Sequence, residues 1–210
     1  MKVWTEILKA LGGILSGLVP AALVSGVSAG LVMLDIAVFK MECDELGIVE
    51  LSQSLILASI VAIMCAAAVK HRDLRGGFVL SAGLFLDMLI REQDQVLEMW
   101  LPHGVWIYPV VLATVLACGF AAKRPETVRD FLVQVRKSRR FQLLAVGFLI
   151  VIGFARVFGM KPIWQTIAGM DDFRVAKHVA EEGAELLGYT IILYWAILFH
   201  RDLASAKSSV

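Results

Sequence analysis

Six long apolar runs leave this chain few folds to choose from. A helix crossing ~30 Å of hydrocarbon needs about 20 consecutive, mostly apolar residues. The runs read at about 11–39, 49–69, 77–94, 104–122, 141–160 and 178–199. Hydrophobic residues make up 59% of the 210, above the ~45–50% of soluble domains. The expected fold is therefore all-α. It is a polytopic membrane protein with six transmembrane helices in one membrane domain, 1–210, with no soluble domain.

The first run follows Lys2 and Lys9, and Val27-Ser28-Ala29 loosely resembles a cleavage site. We read it as a retained span, kinked at Pro20. Gly13/Gly17 and Gly26/Gly30 are small-xxx-small pairs. They predict close packing within the chain, with a homo-oligomer seam through the first span as the alternative. Between the fourth and fifth runs, Val128, Phe131, Leu132 and Val135 recur at helical spacing among Arg129, Arg136 and Lys137. This predicts an amphipathic helix at about 126–140, lying on anionic lipid at the cytoplasmic face.

Charge sets the orientation. With the N-terminus inside and six alternating spans, 14 of the 20 Lys and Arg residues fall on the cytoplasmic side. That bias predicts N-in/C-in. The formal net charge of +1 gives no global basic field for nucleic acid. Cys43, Cys65 and Cys118 form no CxxC, which excludes a zinc ribbon or thioredoxin-like motif. HExxH and P-loop patterns are absent.

The same topology sends 14 of the 19 acidic residues to the outer side. His178, Glu181, Glu182 and Glu185 stand at i, i+3, i+4 and i+7, so a helix puts them on one stripe. Asp35, Glu50, Asp87, Arg91, Asp94, His103 and Arg156 lie toward the outer ends of other spans. Charged groups at hydrocarbon depth cost several kcal/mol unless paired, hydrated or ligated. The bland accounts are interfacial charges and an ion-pair network that fixes helix register. The sharper account is an outward-facing pocket uniting Glu50, Asp87, Arg91, Arg156, His178, Glu181 or Glu182, and Glu185.

Carboxylates and imidazoles without thiols suit hard or borderline cations: Zn, Mn, Fe or Ca. Glu50, Asp87, Glu182 and Glu185 are the expected metal ligands. His178, Glu181 and His103 are the expected proton carriers. Arg91 and Arg156 would grip an anionic group, with Gln53 beside them. The first functional expectation is metal-dependent hydrolysis or group transfer on a lipid or lipid-linked anionic substrate. A proton- or cation-coupled transporter is the second. A non-catalytic accessory subunit of a membrane complex is the third. Each places the chain in a cell membrane, expected to be a bacterial inner membrane, with the site facing the periplasm or exterior.

Overall fold

A computed structural model describes residues 2–39, 47–168 and 173–208, and among these every regular element is helical. The long helices are α1 (Lys2–Phe39), α2 (Ile48–Lys70) and α3 (Arg75–Glu92). The short α4 (Asp94–Glu98) precedes α5 (Ile107–Ala122) and α6 (Pro125–Lys137). α7 (Phe141–Phe148) passes through a π-helical segment, Leu149–Phe154, into α8 (Ala155–Phe158). α9 (Lys161–Ala168) and α10 (Phe173–Ser208) complete the chain.

Four stretches are long and apolar enough to cross a membrane: Leu18–Ala37, Ile48–Lys70, Phe141–Phe158 and Phe173–Ser205. α5 and α6 make a fifth if counted together, although a 99° bend separates them. The expected count of six rested on two shorter runs. α3 carries Arg75, Asp87, Arg91 and Glu92 within 18 residues, and α5 has only 16. Residues 40–46, with Cys43, lie outside the described residues.

α10 is the central post, packed on α1, α2, α7, the π segment and α8. α2 is apolar all round, so it buries Leu57, Ile60 and Met64 while Leu51 and Leu55 face outward. Those buried side chains meet Phe78 and Phe85 of α3, and Ile192, Trp195 and Phe199 of α10. Trp195 stacks on Phe199 with centroids 5.1 Å apart. α1 joins through Ser28, whose hydroxyl donates to Thr190 at 3.3 Å. Pro20 sits inside a continuous α1, where its missing N–H removes one helical hydrogen bond. At the other end of α1, Asp35 accepts the Ile48 N–H at 2.7 Å. It caps α2 in place of Gly47, which has no side chain to do so.

α6 is a helix as its spacing predicts, with a different partner for its apolar face. Phe131 and Val135 are buried in the protein core, not offered to lipid. The Phe131 ring meets Phe78 edge-on at 4.9 Å and Phe199 at 6.1 Å. Gly77 makes this possible, because a Cβ there would overlap the Phe131 ring. Leu132 remains outward. The small residues of α1 also differ from expectation: Gly26 and Gly30 meet nothing within 4 Å, so packing within the chain does not use them.

Candidate functional site: a carboxyl cluster between α2, α3, α8 and α10

The site grows from the first half of α10. α10 runs unbroken from Phe173, which puts His178, Glu181, Glu182 and Glu185 on adjoining turns. Glu185 is buried at 3% exposure. A carboxylate that deep requires a partner, and Arg156 supplies it. The guanidinium Nη2 donates to Glu185 Oε1, and Nη1 lies 3.8 Å from Glu181 Oε1. Glu181 also accepts from Lys177 Nζ at 2.7 Å, one helical turn earlier. Gly159, just past α8, keeps space for the Glu181 carboxylate, which a Cβ there would strike.

The π segment Leu149–Phe154 ends two residues before Arg156. Each residue of an α-helix turns ~100°, and the wider π turn offsets everything that follows. The segment therefore helps decide which neighbour Arg156 faces. Apolar spacing carries no trace of such a change of helix type.

α2 contributes Gln53, which is fully buried. Its Nε2 donates to the Glu182 main-chain carbonyl and to Glu182 Oε2, both at 3.0 Å. Its Oε1 is buried with no hydrogen-bond partner. Glu50 lies one turn earlier on the same face of α2. α3 contributes its C-terminal end. Glu92 Oε1 accepts from the Tyr189 hydroxyl at 2.8 Å, and Gln93 Nε2 donates to Ser54 at 2.6 Å. Arg91 and Arg156 both act electrostatically on Glu92 and Glu185, and His178 acts on Glu182. The result is four carboxyls (Glu92, Glu181, Glu182, Glu185) gathered around three cations, Arg91, Arg156 and Lys177.

No family model, curated protein or solved structure matches this chain. The arrangement of side chains is therefore what informs the site.

Of the expected residues, Gln53, Arg156, Glu181, Glu182 and Glu185 come together through hydrogen bonds and ion pairs, with Arg91 and His178 acting on them only through charge. Asp87 turns instead to α5, where its Oδ2 accepts from Thr114 at 2.6 Å. His103 pairs with Glu98 at 2.6 Å in the α4–α5 turn, with its side chain 93% exposed. Glu98 also accepts the Gly104 N–H at 2.8 Å. That backbone bond first, and the His103 contact second, hold the Glu98 carboxyl below the usual range. Among the described residues, no three His, Cys, Asp or Glu side chains are grouped as a metal site. The expected ligand set Glu50, Asp87, Glu182 and Glu185 is thus divided, with Asp87 on the α5 side of α3. Glu92, Tyr189 and Lys177 join the cluster without having been nominated. Tyr189 continues the α10 stripe four residues past Glu185, and Lys177 stands four before Glu181. Helical spacing offered both signals.

Proposed function

We propose that this chain is a six-span, N-in/C-in membrane protein whose outward-facing carboxyl cluster binds a proton or small cation, as a coupled transporter does. The all-helical fold and its four to five membrane-length helices support the membrane setting. The Lys and Arg bias supports the orientation. On this reading α3 and α5 cross the bilayer as well. The Asp87 and Glu92 carboxyls of α3 are then partnered by Thr114 and Tyr189.

Gln53 is the observation that carries the reading. Its amide nitrogen is committed to Glu182, while its amide oxygen is buried and unpaired. A buried acceptor without a donor costs about 1–3 kcal/mol. A bound cation, or a proton on a neighbouring carboxyl, removes that cost. The crowding of four carboxyls, Glu92, Glu181, Glu182 and Glu185, also favours a bound proton or cation. Arg156 is already held by Glu181 and Glu185, which favours this reading over one in which it grips a substrate phosphate.

Full-length protein in liposomes tests this in two ways. Infrared difference spectra should show a protonated-carboxyl band that titrates and is lost in Glu182→Gln or Glu185→Gln. Under an imposed potassium diffusion potential, a trapped pH dye should report proton entry that the same variants reduce at least about tenfold. A wild-type protein with no titrating carboxyl band and no flux of protons or of sodium overturns the proposal.

A further inference from the structure

At the Lys- and Arg-rich end, far along α2 and α3 from the carboxyl cluster, a cavity of about 320 Å³ opens between two connections. The turn after α2 supplies Arg72, the first residue of α3 is Arg75, and the link from α5 to α6 supplies Lys123 and Arg124. No acidic residue lines this cavity. None of the four cations takes part in an ion pair among the described residues. Arg75 Nε donates to the Ala68 carbonyl at 2.9 Å, which fixes its head at the rim. Four cations held around one concavity repel one another, and an anion relieves that repulsion. Guanidiniums suit phosphate oxygens because their donors form a planar fork.

A second cavity lies beside the first. It is an apolar groove of about 630 Å³ on the α2–α3–α5 face, and Phe120 lines both. Its α5 wall includes Pro109, Leu112, Leu116 and Phe120. These residues recur along one helical face, with Leu112 and Leu116 at least 60% exposed. From Phe120 back to Pro109 is eleven residues, or ~17 Å at 1.5 Å per residue. One leaflet of hydrocarbon is ~15 Å deep, half of ~30 Å. A basic, headgroup-sized cavity thus adjoins an apolar groove one leaflet long, with Phe120 in the lining of both.

We propose that this composite cavity is a binding site for an anionic phospholipid. The phosphate lies among Arg72, Arg75, Lys123 and Arg124, and an acyl chain lies along the α3–α5 groove past Phe120. The site is separate from the carboxyl cluster. It rests on the six-span reading only in requiring that α5 lie in hydrocarbon.

The test uses purified full-length protein in neutral detergent, titrated with phosphatidylglycerol and followed by native mass spectrometry. Wild type should retain phosphatidylglycerol in preference to phosphatidylcholine. Arg72→Gln with Arg124→Gln should weaken phosphatidylglycerol binding about 30-fold, about fivefold for each cation lost. Lys137→Gln with Arg139→Gln removes the same charge elsewhere and should change it less than twofold. Ala113→Phe, which fills the groove and leaves every cation in place, should also displace the lipid. Equal losses from the two charge-removal pairs overturn the proposal, because general attraction to the basic face then suffices. Competition by glycerol phosphate or inorganic phosphate at the lipid's own concentration also overturns it, by showing a soluble-anion site. Cys118, exposed on α5, reports the topology separately. Its protection from an impermeant maleimide in vesicles, together with lost lipid selectivity, counts against the lipid site and leaves the six-span reading standing.

Discussion

Removing Arg156 should destabilise the protein more than removing the carboxylate it pairs with. The asymmetry follows from burial: the Glu185 side chain is 4% exposed, and that of Arg156 is 43% exposed. Arg156→Gln leaves a buried carboxylate without its cation, while Glu181 still keeps Lys177. Breaking a buried pair from one side costs ~3–5 kcal/mol. Because Arg156 is partly screened, we take the lower end, about 3 kcal/mol. Glu185→Gln leaves a guanidinium that can hydrate and still lies 3.8 Å from Glu181, so about 1 kcal/mol is expected. The double variant should resemble Glu185→Gln alone, giving a coupling of about 3 kcal/mol in the cycle. The assay is reversible unfolding in mixed micelles against rising SDS, read by tryptophan fluorescence. Equal single losses that simply add in the double variant would refute the reasoning, since the two groups would then not share one buried contact.

Three further outcomes follow from the packing and the turns. Phe131→Ala should cost ~3–5 kcal/mol by the same unfolding assay, and Leu132→Ala, on the outward face of α6, less than about 1 kcal/mol; similar losses would return Phe131 to the lipid surface. Gly188→Ala pushes a methyl toward Val151 and the Gly147 carbonyl where α10 crosses α7, so it should cost ~1–3 kcal/mol; an unchanged midpoint counts against so close a crossing. The Glu98 bonds to Gly104 and His103 hold its carboxyl below the usual range, so their support is complete above pH ~4.3 and fades as pH falls through the lower folded value. Hydrogen exchange at the Gly104 amide should therefore depart below about pH 4 from its ordinary intrinsic pH dependence, and Glu98→Gln should remove that departure; a wild-type profile matching the variant's sinks this prediction.

The sequence by itself determined what depends on neighbours along one helix. Apolar runs of membrane length dictate helices, and α2, the α7–α8 run and α10 appear where those runs lie. The α10 stripe of His178, Glu181, Glu182 and Glu185 was legible because 3.6 residues per turn fixes which residues share a face. The i,i+4 pairing of Lys177 with Glu181 follows from the same rule. Which partner each face meets was decided only in three dimensions. The period that makes α6 amphipathic is the same whether its apolar side meets lipid or protein; Gly77 and the Phe78 and Phe199 rings drew Phe131 inward. Asp87 and Glu92 stand five residues apart on α3. Roughly 500° of helical turn leaves them about 140° apart, so one reaches Thr114 of α5 and the other Tyr189 of α10. The pairing of Arg156 with Glu185 spans 29 positions, and it rests on a π segment that apolar spacing does not encode. Helix spacing is a property of the local backbone, while a buried charge finds its counter-ion only when separate helices pack.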